Sequence, residues 1–436
     1  MRMLRLPLSL LAMVLLGLGS ACSSHHSDPN SSGSPAAITI QPVAASSVTG
    51  RPVSLAITAT GAAPLTFQWA KDGQPILGAE TSTLTLYNPG PQDSGTYTVT
   101  VANSLSSVTS APATLTVLAA LTFQSPTGVV ADATGNLYVS DMDDHTIWKV
   151  DPTNQKTLLA GSPGLPGSAD GQGGNARFRN PGGLALDPAG NLVVADTGNH
   201  TLRRVAMDGT VTTLAGSPGV PGSADGVGAQ ARFDAPFGIA VDGTGMVYVA
   251  DTENHTIRRV ATDGTVTTYA GAAGQPGLLN GANASALFDQ PDGLGLEADG
   301  TLVVADYGNS CIRAISPAGQ VSTLAGLGTH GYTDGSGALA AFYWPVGLAV
   351  DASGNIWVAD THNHAIRKIL ADHSVSTLAG LGGASGNADG SGTGALFDLP
   401  CGIAATPSGN LVVADTYNHL LRNITPSGTV STFTKP

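Results

Sequence analysis

Aspartate and histidine recur along this chain at nearly constant spacing, and their side chains can bind metal ions or transfer protons. An aspartate opens a similar ten-residue string at six positions, 54 or 55 residues apart: Asp141, Asp196, Asp251, Asp306, Asp360 and Asp415. Five strings carry a histidine four residues after the aspartate: His145, His200, His255, His364 and His419. The pattern first suggests a metal site built from several of these histidines.

The equal spacing argues against such a shared metal site. In a closed ring of six equal units, neighbouring equivalent positions lie one ring radius apart, at least about 9–10 Å for a strand two places outside the innermost one. Ligands of one zinc ion lie within about 3–4 Å of each other. We therefore predict no metal and no cofactor, and we interpret the carboxylates equivalent to Asp196 and to Asp187 as turn caps.

The residues around the aspartate strings predict four short strands per unit. In the second unit, β-rich runs cover 183–186, 192–195, 201–205 and 210–214, and tight-turn residues join the first two runs and the last two. One such sheet cannot bury both faces alone, whereas six packed radially can. The sequence predicts an all-β chain with a six-bladed β-propeller over 121–436.

The aspartate strings contain an Asn-His-Leu motif, most literally at Asn418-His419-Leu420, and they resemble the NHL repeat family. The resemblance covers about three quarters of the chain and implies a six-bladed propeller. It implies little about function, because NHL propellers include RNA binders, receptor sensor domains and a peptide-amidating lyase. Two units depart from the motif: Ser310-Cys311 replaces His-Thr in the fourth unit, and Asp144 replaces Asn in the first.

The N-terminus has the features of an export signal. Residues 1–21 combine two arginines with an apolar run, and small residues directly precede Cys22. This junction resembles the lipobox of bacterial lipoproteins, which implies acylation of Cys22; Gly19, where the lipobox usually has leucine, leaves plain secretion open. We predict an exported protein that is lipid-anchored to a bacterial membrane, at the outer membrane and periplasm or at the cell surface, with a flexible tether over 22–36.

Alternating apolar and polar residues over 37–118 predict a second all-β domain. The strings at 67–73 and 93–99 resemble an immunoglobulin-like β-sandwich, with Trp69 as its buried tryptophan and Tyr97 at its tyrosine corner. Ile57 and Val99 stand at the two cysteine positions, so we expect the domain to hold by packing alone. We interpret it as a spacer, with an adhesive surface as the alternative.

The charge balance excludes one class of partner. The formal net charge is −13 and no cluster of lysines and arginines interrupts it, so a phosphate backbone would be repelled and no nucleic-acid partner is predicted. Arg203-Arg204 and Arg258-Arg259 alternate along a strand, and we interpret them as solvated strand faces. The chain is predicted to be monomeric.

Two further sets of residues indicate packing. Cys311 and Cys401 lie in different blades, too far apart for a disulfide, and are interpreted as buried thiols. A phenylalanine and a proline recur together in every unit, which predicts contact between blades. The phenylalanines are Phe123, Phe178, Phe233, Phe288, Phe342 and Phe397, and the prolines are Pro126, Pro181, Pro236, Pro291, Pro345 and Pro400.

Function is expected where a unit departs from its own consensus, because the other units serve as an internal control. The fourth and fifth units depart most; Asn280, for example, replaces a loop aspartate. Aromatic rings beside a carboxylate and imidazoles suit a sugar or a peptide, with drift in exposed loops as the alternative. The residues predicted to bind ligand are Asp292, Tyr307, His330, Tyr332, Tyr343, Trp344 and His362.

The sequence thus predicts an envelope-anchored, non-catalytic binding or scaffold protein. Its propeller loops would bind a protein, peptide or carbohydrate in the envelope or the extracellular space, and only the lipid would contact the membrane. The alternative is a metal-dependent propeller enzyme of lactonase or lyase type, for which only Asp292 and His330 qualify as asymmetric ligands. The sequence contains no nucleophile elbow, metal string or phosphate loop, so no catalytic residue is predicted.

Overall fold

A computed structural model describes residues 33–435 of the chain. The predicted signal peptide, Cys22 and most of the predicted tether lie outside this range. The described chain divides into two compact units. One contains the residues up to Val43, Leu55–Leu84 and Thr96–Ala113; the other contains Ala44–Ser54, Thr85–Gly95 and the residues from Thr114 onward. Between residues 33 and 435, no helix is both long and apolar enough to cross a membrane.

Residues 37–118 form strands where the immunoglobulin-like sandwich is predicted. The strands are β1 Ala37–Ile40, β2 Ala45–Val48, β3 Val53–Ala56, β4 Thr58–Thr60, β5 Thr66–Lys71, β6 Gln74–Pro75, β7 Thr83–Leu86, β8 Gly95–Ala102, β9 Ser107–Thr109 and β10 Ala113–Leu118. A short 3₁₀ turn, Pro91–Asp93, precedes β8.

The core of the first unit lies on the antiparallel pair β5 and β8. Trp69 is directly opposite Val99 in this register, and both side chains are fully buried. The indole Nε1 of Trp69 donates a hydrogen bond to the carbonyl oxygen of Thr81 at 2.9 Å, which satisfies its one polar atom. Tyr97 is buried as well. The predicted burial of Trp69 and Tyr97 is confirmed, and Val99 fills by packing the position where the sandwich family carries a cysteine.

The repeated units form six sheets. Blade one contains β11 Pro126–Ala131, β12 Leu137–Asp141, β13 Thr146–Val150 and β14 Lys156–Gly161. Blade two contains β15 Gly171–Gln172, β16 Pro181–Leu186, β17 Leu192–Asp196, β18 Thr201–Val205 and β19 Thr210–Gly216. Blade three contains β20 Gly226–Val227, β21 Pro236–Val241, β22 Val247–Asp251, β23 Thr256–Val260 and β24 Thr265–Ala270.

The remaining three blades repeat this order. Blade four contains β25 Gly281–Ala282, β26 Pro291–Leu296, β27 Leu302–Asp306, β28 Cys311–Ile315 and β29 Gln320–Ala325. Blade five contains β30 Gly335–Ser336, β31 Leu348–Val350, β32 Ile356–Asp360, β33 Ala365–Ile369 and β34 Ser374–Ala379. Blade six contains β35 Gly390–Ser391, β36 Pro400–Ala405, β37 Leu411–Asp415, β38 Leu420–Ile424 and β39 Thr429–Thr432. Short 3₁₀ turns lie at Gly173–Asn175, Thr197–Asn199, Gly228–Gln230, Thr252–Asn254, Thr361–Asn363, Gly392–Gly394 and Thr416–Asn418.

Each blade is a four-stranded antiparallel meander, as predicted. In blade two the order is β16-β17-β18-β19, and the two-residue β15 pairs with the outer edge of β19. Blades three to six have the same added edge strand, which the sequence does not predict because two residues of a glycine-rich crossing loop carry no hydrophobic period.

The hydrophobic core consists of layers between neighbouring blades. One layer joins Val193 and Leu202 of blade two to Phe233 and Val249 of blade three. The equivalent phenylalanines in the crossing loops, Phe178, Phe233, Phe288, Phe342 and Phe397, are all fully buried. The predicted packing role of the repeated phenylalanines is confirmed, and burial of each such side chain stabilises the ring by about 1.5–3 kcal/mol.

The last blade closes onto the first. The Thr416 hydroxyl donates to the Pro126 carbonyl oxygen at 2.7 Å, and the Phe123 amide donates to the carbonyl oxygen of His419 at 3.0 Å. Leu121, Phe123 and Leu421 share one buried layer. The ring therefore closes through side-chain packing and the same kind of hydrogen bond that joins its other blades.

The repeated aspartates and arginines form buried ion pairs, which corrects two predictions. Asp196 and Arg203 are both fully buried, and Arg203 Nη1 donates to Asp196 Oδ2 at 2.7 Å. Asp196 Oδ1 accepts the Arg179 amide at 2.7 Å, while no side-chain hydrogen bond caps the turn that follows Asp196. Equivalent pairs are Asp251 with Arg258, Asp306 with Arg313, Asp360 with Arg367, and Asp415 with Arg422.

The prediction of solvated arginines is wrong for Arg203 and Arg258 because blades cover both faces of a propeller strand. In such a strand, alternate side chains face two different blade interfaces, so alternation does not distinguish buried from solvent-exposed positions. The prediction of turn caps is likewise wrong for Asp196 and its equivalents. It is confirmed for Asp187, whose Oδ1 accepts the backbone amides of Ala189 and Asn191 at 3.0 and 2.9 Å.

Candidate functional site

The innermost strand of every blade carries a Pro-x-Gly segment near the central channel. The glycine is required by the close approach of neighbouring strands: a Cβ atom on Gly293 would collide with the Val346 carbonyl oxygen. The x residue has no such restriction and differs in every blade. The six x residues are Thr127, Gly182, Phe237, Asp292, Val346 and Cys401.

A cavity of about 520 Å³ lies above this segment, within the second unit. Five of the six x residues line it, all except Gly182. Side chains from the loops between the second and third strands complete the wall, among them Tyr307, His362 and Tyr417. Variable positions of the repeat thus form much of the wall, together with the consensus residues Thr361, Thr416 and His419. The volume falls in the range of small-molecule sites.

Five of the predicted site residues form one contiguous group, here called the rim cluster: Tyr307, His330, Tyr343, Trp344 and His362. Tyr307 stacks on Trp344 with ring centroids 5.3 Å apart, and His362 meets Trp344 edge to face at 4.4 Å. His330 contacts Tyr343 at 4.6 Å and Trp344 at 5.4 Å. Because Tyr307 and His362 also line the cavity, the rim cluster extends its wall.

A local change in the repeat makes room for the rim cluster. Where the fourth unit has Tyr307, the equivalent residue of blade three is Thr252, whose hydroxyl donates to the Pro291 carbonyl oxygen of the next blade at 2.9 Å. Tyrosine cannot make this short contact. Blade five correspondingly begins its first strand only at Leu348. Trp344, with φ of 50°, keeps the left-handed backbone that the equivalent residues Ala235 and Gln290 also have. The Tyr307 ring stacks instead on Trp344, a residue of the loop that enters blade five.

Asp292 lies half-buried in the cavity wall. Burial and the negative charge of Glu253 raise the pKa of its carboxyl group to about 7, and a hydrogen bond with the Thr252 side chain opposes this rise. A carboxyl group that titrates near neutral pH inside a cavity is a functional-site candidate on physical grounds.

The prediction of two buried thiols is confirmed for Cys311 and wrong for Cys401. Cys311 is fully buried, whereas Cys401 is only partly buried and lines the cavity. Burial and the charge of Asp292 raise the pKa of the Cys401 thiol to about 12, so it is a poor nucleophile at neutral pH.

Two other departures from the repeat lie away from the rim cluster. The Tyr332 ring lies 4.9 Å from the guanidinium carbon of Arg367, and its hydroxyl accepts a hydrogen bond from Thr377 Oγ1 at 3.1 Å. Asn280 Oδ1 accepts a hydrogen bond from Arg313 Nη2 at 2.8 Å. Asn280 therefore replaces the usual loop aspartate in the same structural role.

The repeated histidines serve as links between blades. His200 has a left-handed backbone, with φ of 58°, and its Nδ1 accepts the amide of Ala235 in the next blade at 3.0 Å. Ser310 takes the histidine position in blade four, and its Oγ accepts the Trp344 amide at 3.3 Å. Within residues 33–435, no group of three or more histidine, cysteine, aspartate or glutamate side chains is arranged to hold a metal ion. Asp292 and His330, which the enzyme alternative requires, do not share a metal-ligand group there.

Sequence reasoning missed several cavity residues. Thr127, Phe237 and Cys401 vary in the same Pro-x-Gly column in which Asp292 was noticed. Aligning all six units at this column and asking which position lacks any consensus would have identified them.

Comparison with known families agrees with this architecture. The NHL repeat model matches residues 123–150, 178–204, 233–260, 342–369 and 397–422, and the immunoglobulin domain model matches 35–103. The matched ranges omit the fourth unit, which contains Tyr307 and Ser310. The chain is an NHL-repeat β-propeller protein with an N-terminal immunoglobulin domain.

Curated relatives share the propeller region. The chain is 33% identical over 326 residues to Protein SUPPRESSOR OF QUENCHING 1, chloroplastic, of Arabidopsis thaliana, covering 70% of this chain and 31% of that protein. It is 30% identical over 331 residues to NHL repeat-containing protein 2 of Homo sapiens, covering 67% of this chain and 45% of that protein. The chain spans less than half the length of these relatives.

Solved structures support the fold. An auxiliary nutrient binding protein from Bacteroides thetaiotaomicron superposes with a TM-score of 0.54 at 14% identity, covering 93% of this chain and 99% of that chain. One from Bacteroides ovatus has a TM-score of 0.52 at 15% identity, covering 90% and 98%. At these identities the similarity concerns the fold alone.

Proposed function

We propose that the cavity and the rim cluster bind a protein, peptide or carbohydrate ligand. The observation that carries this proposal is the convergence of independent departures from the repeat. Tyr307, Tyr343, Trp344 and His362 come from two sequence units, yet their rings contact one another beside the cavity. Neutral drift would scatter such changes over the loops, whereas selection for a ligand would gather them. Two solved structures of this fold carry the description of auxiliary nutrient binding protein.

Replacing Trp344 by alanine should weaken ligand capture by about tenfold or more. The indole contacts four other rings, so its loss removes most of the ring contacts within the rim cluster. These rings are Tyr307, Tyr343, His330 and His362. Because Trp344 is only partly buried, the cost in unfolding free energy should stay near the ~0.5–1.5 kcal/mol of an aromatic pair plus some lost burial. Binding of the labelled full-length protein to glycan and peptide arrays measures the effect.

Tyr269→Ala is the matched control for Trp344→Ala. Tyr269 forms an edge-to-face pair with Tyr248 at 5.3 Å on blade three, outside the cavity. It should lose comparable stability and keep its array signal. A Trp344→Ala protein that binds the same array spots as strongly as wild type would refute the proposed site.

We further propose that the protein is exported and anchored to a bacterial envelope through a lipid on Cys22, with the immunoglobulin domain as a spacer. The apolar run of the first 21 residues and the small residues before Cys22 support this. The domain boundaries at 22–36, 37–118 and 121–436 remain predictions.

Cys22→Ser should move the protein from the membrane fraction to the soluble fraction, because acylation requires the thiol. Fractionation of expressing bacteria with detergent-free washing measures this. Cys401→Ser is the control and should stay with the membranes. Retention of Cys22→Ser on the membrane would contradict lipid anchoring.

A further inference from the structure

We propose that the ligand of the cavity carries an organic ammonium group and that Asp292 is its counter-ion. This inference rests on the proposed ligand-binding function and specifies the chemical class of the ligand. Three properties of the cavity support it: the sign of its charges, the pairing of Asp292 and the aromatic residues in its wall.

The charged side chains that line the cavity are acidic. Asp143 and Asp292 are lining residues, and the lining set contains neither lysine nor arginine. Burial, with the neighbouring imidazoles of His364 and His330, lowers the pKa of His362, so this ring adds no positive charge at neutral pH. A cation would therefore meet complementary charge in the cavity, whereas a phosphate or carboxylate would be repelled.

Asp292 differs from the structural carboxylates of the propeller in having no cationic partner. Asp196 and Asp251 each receive a guanidinium group at 2.7 and 2.6 Å. Among residues 33–435, no ion pair involves Asp292. A partly buried carboxylate without a counter-charge disfavours the fold, so its presence indicates a role outside stability.

Aromatic residues line the same cavity as Asp292. Phe237, Tyr307 and Tyr417 line the same cavity, and the charge of Asp292 contributes to raising the pKa of Tyr307, as expected for close neighbours. Ammonium groups are attracted to aromatic faces and gain most when they are desolvated. A carboxylate and several rings in one recess thus favour an ammonium group over a neutral polar group.

The test uses two cations, each with an uncharged counterpart of the same shape. Choline is compared with its carbon isostere dimethylbutanol, and butylammonium with butanol, by calorimetric titration of the full-length protein. We expect each cation to bind about tenfold more tightly than its neutral counterpart or better. Asp292→Asn should remove this preference.

Asp299→Asn is the matched control, since Asp299 is an exposed turn residue of the same blade and lies outside the cavity. It should keep the preference for cations. Equal affinity for charged and uncharged probes, no binding of either cation, or an unchanged preference in Asp292→Asn would each overturn the inference. If the arrays yield a neutral ligand that requires Trp344 and ignores Asp292, the ammonium assignment fails while the proposed function stands. If cation binding requires Asp292 but not Trp344, the ammonium assignment stands and the proposed role of the rim cluster fails.

The pH dependence gives a second readout. The ionisable groups that face Asp292 are Glu253, Tyr307 and Cys401, with His362, His419 and Asp143 elsewhere in the wall. Burial keeps the Tyr307 and Cys401 side chains neutral at neutral pH. Choline carries a fixed charge, so its affinity should rise about tenfold between pH 6 and pH 8 as a carboxyl group with a pKa near 7 ionises. A flat profile in wild type, or the same profile in Asp292→Asn, would contradict this role of Asp292.

Discussion

Deleting residues 415–436 should abolish the cooperative unfolding of the propeller. The deletion removes β38 and β39, and with them the buried side chains Leu421, Ile424 and Val430. It also removes the closing hydrogen bond from Thr416 to Pro126. The interface between the last and first blades would then be lost and buried apolar surface would face water, so we expect aggregation and rapid proteolysis.

Thermal unfolding followed by circular dichroism, together with limited proteolysis, measures this result. Tyr417→Ala is the control, because this side chain lies in the deleted segment but is 66% exposed. It should leave the melting temperature nearly unchanged. A truncated protein that melts as sharply as the full chain and at the same temperature would indicate an open array of units rather than a closed ring.

Replacing Arg258 by methionine should lower the free energy of unfolding by about 3–5 kcal/mol, the cost of breaking a buried ion pair from one side. Arg258 Nη1 donates to Asp251 at 2.6 Å and to the Arg232 carbonyl oxygen at 2.9 Å, and Nη2 donates to Asp225 at 2.7 Å. Nη2 also donates to the Ala224 carbonyl oxygen at 3.2 Å. Methionine retains the apolar volume and removes all four bonds. Urea unfolding of the variant measures the loss.

The neighbouring Arg259 provides the control. Its side chain is exposed, so Arg259→Met should change the free energy of unfolding by less than about 0.5 kcal/mol. Adding Asp251→Asn to Arg258→Met should recover part of the loss, because no uncompensated charge then remains buried. Similar losses for Arg258→Met and Arg259→Met would show that the ion pair is not structural.

The pH dependence of the Arg258→Met protein follows from the same pair. Burial raises the pKa of Asp251 to about 6 even with Arg258 present, and loss of the guanidinium should raise it further. An aspartate whose folded-state pKa exceeds its unfolded value favours the fold in its protonated form, and that contribution is lost as the pH rises through the folded-state pKa. The penalty of Arg258→Met should therefore be smaller at pH 5 than at pH 8.

Most of the fold could be predicted from sequence because the six repeated units can be compared with one another. Six aspartate strings at constant spacing defined the blades, and Trp69 with Tyr97 indicated the sandwich from two short strings. The two-residue edge strands escaped prediction, since Gly171 and Gln172 have neither period nor propensity. Their pairing with β19 depends on where the crossing loop lies in three dimensions.

The site was only partly predictable from comparison of the units. Tyr307 replaces a threonine that four other units share, whereas Trp344 lies in a column without consensus, and their contact is visible only in the structure. Cys401 and Phe237 were missed because the Pro-x-Gly column has no consensus, so these uncharged side chains do not stand out there as the carboxylate of Asp292 does. Arg203 was misjudged for a different reason: strand alternation indicates burial only when one face of the sheet meets water, and a propeller blade covers both.

The loop-face cavity is tested most directly by the dissociation constant of the strongest array ligand, measured by calorimetry for wild type, Trp344→Ala and Tyr269→Ala. Loss of ~1.4 kcal/mol of contact energy raises a dissociation constant about tenfold. We therefore expect the constant to rise about tenfold or more for Trp344→Ala and to stay unchanged for Tyr269→Ala. The same dissociation constant in all three proteins would contradict binding at the rim cluster.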